Sequence, residues 1–203
     1  MLAPLLAALL LAPASSQEFV IDASTGSIIA VLESEGALKA LAHDHVVDAR
    51  EFEGELTVAG EASNGQVRVG AEWIEIDAPA TREAAKVEGK LSEKDREKIR
   101  EQMRGPKGLS VKDHPKIVFR ALKAYQVEGE SIWMVDGEFE LRGVKQAVQI
   151  PVEFERSARG TWFHGRLRIK PSDYGIKPFK VLGGMIRVKD EALIRFRLLA
   201  RPR

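Results

Sequence analysis

The side chains best suited to chemistry in this chain are its 4 histidines, and two of them share one tripeptide, His43-Asp44-His45. On an extended strand His43 and His45 face one side and Asp44 the other. Two imidazoles on one face, joined by His114 or His164 from elsewhere, approximate a zinc or copper site. Placed at the rim of a barrel, the same rings would instead contact a ligand head group. Cysteine is absent, which removes disulfides, thiolate metal ligands and a thiol nucleophile together. No Gly-x-Ser-x-Gly turn presents a serine nucleophile, and no glycine-rich phosphate or dinucleotide loop is found. Asp44 and His45 with a remote serine can be drawn as a triad, but no motif selects that serine. The pattern is that of a binding protein with no required cofactor, not of an enzyme.

Composition narrows the class further. Lys and Arg total 31 against 30 Asp and Glu, a formal net charge of +1. Nucleic-acid binding calls for a clustered basic excess, so no nucleic-acid partner is expected. With 44% hydrophobic and 30% charged residues, the chain has ordinary globular composition. Its 203 residues suffice for one all-β domain. Leu2 to Ala14 reads LAPLLAALLLAPA and is followed by Ser15-Ser16. That run is shorter than the roughly 20 residues a membrane-spanning helix needs. It matches the apolar core and small-residue cleavage site of a signal peptide, although no Lys or Arg precedes it. The expected division is a signal peptide over 1–16 and one barrel domain over 17–203, with a periplasmic or secreted mature protein.

Beyond that run the dominant period is two. Gln66 to Trp73 alternates polar and apolar; so do Val144 to Phe154 and Ile186 to Ala200. Such alternation marks half-buried antiparallel strands. Further strands are expected at Glu18–Asp22, Ser27–Glu33, His45–Ala59, Lys116–Val127, Ser131–Leu141 and Thr161–Ile169, with turns at Gly60, Ser63-Asn64-Gly65, Glu128-Gly129, Gly143 and Gly160. One stretch departs from this pattern. Ser92 to Asp95 resembles a capping box, and Ile99 and Met103 lie four apart ahead of Gly105-Pro106, which predicts one short surface helix. Gly183-Gly184 is a hinge candidate within Pro178–Gly184, a segment that could lie over a barrel mouth.

Several segments together resemble the YceI-like family of exported, polyisoprenoid-binding barrel proteins. Phe19 to Ser27 is similar to that family's first strand and turn, and His114-Pro115-Lys116-Ile117-Val118-Phe119-Arg120 to the start of its central strand. Gly137 to Val148, with Arg142-Gly143-Val144 at its centre, resembles a hairpin of the family. Asp173-Tyr174-Gly175-Ile176 and Val188 to Ile194 resemble its Asp-Phe-Gly loop and last strand. The chain departs at Glu140, where the family usually carries Thr, and at His43–His45, present in only some members. The resemblance implies an extended eight-stranded antiparallel lipocalin-like β-barrel holding an isoprenoid quinone or related lipid along its axis.

Alternation then nominates Trp73, Phe119, Trp133, Phe139, Val148, Ile150, Phe154 and Trp162 as the cavity lining, with His43, His45 and His114 as head-group or metal candidates. Three readings follow. The first is a carrier for a polyisoprenoid or other hydrophobic small molecule, making transient membrane contact. The second is a metal-dependent module built on His43 and His45. The third is a scaffold barrel with a packed interior. Residue types set no oligomeric state, a dimer included.

Overall fold

The segments of period two join in chain order into one antiparallel sheet. The computed structural model describes residues 16–203. In it β1 (Gln17–Glu35), β3 (Phe52–Val58), β4 (Asn64–Gly70), β6 (Lys116–Gln126), β7 (Trp133–Leu141), β8 (Val144–Ser157), β9 (Gly160–Ile169) and β11 (Ile186–Pro202) pair in succession, and β11 returns to β1. Eight strands thereby close an up-and-down barrel, which leaves its wall without a free edge. Three short strands extend it: β2 (His45–Ala49) on the second half of β1, β5 (Ile74–Ile76) on β2, and β10 (Lys180–Val181) on the start of β11. The expected signal peptide, apart from residue 16, lies outside the described residues.

Two of the boundaries that differ from the sequence expectation concern β1 and its neighbours. Glu18–Asp22 and Ser27–Glu33 belong to one strand of 19 residues interrupted by a bulge. Asp22 sits opposite Leu199 and Ser27 opposite Arg197, so the extra residues fall between them. Asp22 organises the bulge by accepting hydrogen bonds from the Ser24 N–H at 3.1 Å, the Ser24 hydroxyl at 2.6 Å, the Thr25 hydroxyl and Arg201. Conversely, His45–Ala59 breaks at Arg50-Glu51, because β2 and β3 pair with different stretches of β1.

The capping box at Ser92 starts α2 (Glu93–Arg104), with the Ser92 hydroxyl accepting from the Asp95 N–H at 3.1 Å. Ile99 and Met103 face the core as their spacing requires. A second helix, α1 (Pro79–Ala85), corrects the expectation of one. Its 7 residues are too few to show a period, and its punctuation is Pro79 at the start and a left-handed Lys86 at the stop.

α2 and the loop after it fill one end of the barrel, while α1 packs on β2. Leu109, in the loop after α2, packs against both halves of the core. Arg142 and Gly143 form the two-residue turn between β7 and β8, with φ of 53° and 72°. From that turn Arg142 donates to the carbonyls of Gly175 at 2.8 Å and Pro106 at 3.2 Å. Tyr174, buried in the short turn Pro171–Tyr174, meets Phe139 edge-on at 5.8 Å. Burial, with the Asp173 carboxylate adding to it, pushes the Tyr174 phenol up to about 12. Asp190 holds that turn by accepting from the Ser172 N–H at 2.9 Å and from its hydroxyl.

A buried ion pair ties the loops on this side together. Asp77 is wholly buried with φ of 54°, and its carboxylate accepts from the Val46 N–H at 3.0 Å and from Arg82 at 2.7 Å. Its second oxygen lies 2.7 Å from His45 Nδ1. Arg82 also donates to the carbonyls of Asp44, Glu88 and Gly89. Burial works to raise the Asp77 carboxyl, but the bond and charge of His45, the Val46 N–H and Arg82 outweigh it and hold it below the usual carboxylate range. A carboxyl lowered by folding stabilises the fold above its unfolded pKa, and that contribution is lost as pH falls through the folded value. Arg82→Leu strands the carboxylate and is expected to cost about 3–5 kcal/mol in urea unfolding at neutral pH. Asp77→Asn should lower stability at neutral pH and flatten the loss on acidification below about pH 4, read from urea midpoints across a pH series.

Candidate ligand-binding cavity

Above this packed end the barrel is hollow. A cavity of about 640 Å³ extends to the end where the β3–β4 and β8–β9 turns lie, with Gln17, Ser63, Ser157, Gly160 and Pro202 around its mouth. Its wall is apolar throughout its depth, from Leu56, Val67 and Val135 to Ile28, Leu167 and Ile194. The charged residues on it are Glu55 and Arg156, both toward the mouth. Such a cavity accepts hydrocarbon and places a polar head at the rim.

Five of the residues nominated by alternation stand on this wall: Phe119, Trp133, Phe139, Ile150 and Phe154. Three do not. Trp73 is 52% exposed, because alternation ends at Gly70 and Ala71–Trp73 is a turn of 3-10 helix. Val148 points inward but packs into the filled end beside Phe139 and Ile150, below the cavity. Trp162 points outward, its ring covered by the Arg197 guanidinium at 3.6 Å. Its neighbour Phe163 takes the inward place, in phase with Leu167 and Ile169. Two adjacent aromatics conceal the phase of a strand, and only the apolar residues further along it reveal which one faces in.

Sequence reasoning missed Phe19, Phe163, Phe196 and Leu198 as lining residues. Aromatic rings run from Trp133 to Phe154 at 6.0 Å, on to Phe163 at 6.3 Å and then to Phe19 at 6.5 Å. Two glycines keep the lumen open between such rings. A methyl group at Gly137 would lie 2.6 Å from the Phe119 ring, and one at Gly165 would lie 2.7 Å from the Phe196 ring. Each ring therefore occupies space beside bare backbone that a side chain would otherwise take. A lone glycine in an alternating strand, facing inward between apolar residues, was the available signal.

None of the three candidate histidines reaches this cavity. His45 is engaged by Asp77 as described, and His43 lies in the loop before β2, where Gly89 approaches its ring. His114 packs against Gly143 of the β7–β8 turn at the filled end. His164 is on the outer face, 3.4 Å from Glu153. Among the described residues, no three His, Asp or Glu side chains converge as a metal site. Glu140, the departure from the family pattern, points outward and accepts from Arg120 at 2.8 Å. The segment Pro178–Gly184 lies beside the start of β11, at the opposite end from the mouth, so it is not a lid over it.

An eight-stranded up-and-down barrel around an apolar, open-mouthed cavity is the architecture of the lipocalins, whose barrels hold one small ligand. The chain matches the YceI-like domain over residues 19–200 and belongs to that family, whose members are in general binding proteins and not enzymes. Among solved structures it is similar to BcnA of Burkholderia cenocepacia, with a TM-score of 0.66 and 16% identity over 89% of this chain and 99% of that one. It is also similar to the YceI protein of Campylobacter jejuni, with a TM-score of 0.54 and 11% identity over 77% of this chain and 84% of that one. At such identities the likeness is one of fold. A sequence search of curated proteins gives no significant match.

The placement of the three tryptophans yields a test. Titrating the apolar probe N-phenyl-1-naphthylamine should change tryptophan emission through Trp133, which stands on the wall. Trp133→Phe should remove most of that change, whereas Trp73→Phe and Trp162→Phe should retain it.

Proposed function

We propose that this protein is an exported carrier that holds one long-chain apolar lipid, a polyisoprenoid or isoprenoid quinone, with its tail in the barrel and its head at the mouth. The observation that carries the reading is the 640 Å³ cavity, apolar through its depth and polar only near its opening. At ~30 Å³ per methylene-sized group, about the share of a water molecule in the liquid, it takes about 20 such groups. Burying a dozen of them at ~0.8 kcal/mol each gives about 10 kcal/mol before the costs of association, enough for useful affinity without catalysis. A longer polyisoprenoid would then leave its remaining units outside the mouth. Export is supported by the apolar run Leu2–Ala14 and its small-residue end. The metal-dependent reading has no such support, since His45 is turned to Asp77 and, among the described residues, no three His, Asp or Glu side chains gather around His43 or His45.

Organic extraction of the purified protein followed by mass spectrometry is expected to release a long-chain lipid near one equivalent per chain. Val135→Trp fills the lumen from β7 and should cut that yield about tenfold while the barrel's circular dichroism is retained. Extracts empty of lipid from protein that also fails to take up added prenol would overturn the reading.

A further inference from the structure

The end of the barrel away from the mouth carries an exposed surface that neither the fold nor the cavity explains. It is made from the loop 36–42 and the segment 176–186, joined where the Leu38 N–H donates to the Met185 carbonyl at 3.0 Å. Of the ten large hydrophobic side chains exposed among the described residues, five lie here: Leu41, Phe179, Val181, Leu182 and Met185. Leu182 is 58% exposed and holds a left-handed φ of 49°, followed by Gly183 and Gly184 at 66° and 91°. A leucine rarely adopts that conformation, and here it directs an apolar side chain into solvent.

The charges carried by the two segments themselves have one sign. Lys39, Lys177 and Lys180 lie on the two segments, which contain no acidic residue, and none of the three forms a salt bridge among the described residues. Of the acids nearest, Glu33 pairs with Lys189, Glu35 with Arg187 and Asp190 accepts from Ser172, while Asp44, in the loop before β2, accepts from Ser34 at 2.7 Å and also feels the charge of Lys39. Apolar tips rimmed by lysines that form no salt bridge among the described residues suit a surface that offers both negative charge and hydrocarbon.

We infer that this surface docks the barrel on an anionic lipid bilayer, with Phe179, Leu182 and Leu41 entering the interface and Lys39, Lys177 and Lys180 meeting acidic head groups. A second copy of the chain is the poorer fit, because a two-fold contact would set these lysines against their own images. Docking by this end leaves the cavity mouth facing away from the membrane. The inference stands independently of what the cavity holds.

Because the chain has no cysteine, a single one can be labelled cleanly. Ala40→Cys places an environment-sensitive nitrobenzoxadiazole label on the surface, and Glu128→Cys places one on the β6–β7 turn at the opposite end. In the full chain, phosphatidylglycerol vesicles should blue-shift and brighten the label at position 40, phosphatidylcholine vesicles should not, and added salt should reverse the change. The pairs Phe179→Ser with Leu182→Ser, and Lys177→Glu with Lys180→Glu, should each reduce the response about fivefold. Whatever residues 1–15 contribute is common to all variants. The inference is overturned by a label at position 128 responding in place of that at 40, by an unchanged response in both pairs, or by no response. A shift that depends on protein concentration without vesicles would assign the surface to a second copy instead.

Discussion

From Phe19 opposite Pro202 to Glu35 opposite Arg187, β1 and β11 run side by side, joining the first and last strands of the barrel. Every other feature rests on that seam. Without it both strands would present unpaired backbone edges to solvent, a template for pairing with other chains. Phe19 of β1 and Phe163 of β9 meet across the lumen only because β11 stands between those strands and closes the ring. The seam also demands contacts across nearly the whole chain, which places the barrel among slow-folding topologies. The bulge at Asp22 belongs to the same constraint, since it lets β1 pair with β3 along one stretch and with β2 along another.

The barrel divides along its axis into a packed end and a hollow end. Several of the residues that carry the family resemblance build the packed end. Arg142 pins two loops, Tyr174 fills the space under Phe139, Asp190 anchors Ser172, and His114 covers Gly143. Arg142, Tyr174, Asp190 and His114 serve as a floor and do not line the cavity. The hollow end is written in aliphatic side chains, a line of rings and two inward glycines.

That division explains what could be read from the sequence. Period two located the strands, and the capping box located α2, because each pattern is local and the same everywhere in the element. The short helix α1 escaped because seven residues show no period. Among candidate lining residues, Trp133 and Phe154 followed from clean alternation, while Trp162 did not, since Trp162 and Phe163 compete for one inward position. The role of His43-Asp44-His45 was hidden altogether. Its partners Asp77 and Arg82 stand over thirty positions away, and no local pattern links them to it. Asp44 bonds to Ser34 and His45 to Asp77, so two residues of the tripeptide tie β1 and the segment after β5 to the start of β2.

Gln17 and Pro202 both stand at the cavity mouth, and the Arg203 N–H donates to the Glu18 carbonyl at 3.0 Å. The two ends of the barrel wall are thus neighbours in space, the arrangement that tolerates circular permutation. Linking Gln17 to Pro202 through a few glycines and serines, and reopening the chain at the exposed Glu128–Glu130 turn, would preserve every strand pairing in the wall. The β1–β11 seam would then become an ordinary hairpin. A contact that now waits for the last strand would form between sequence neighbours.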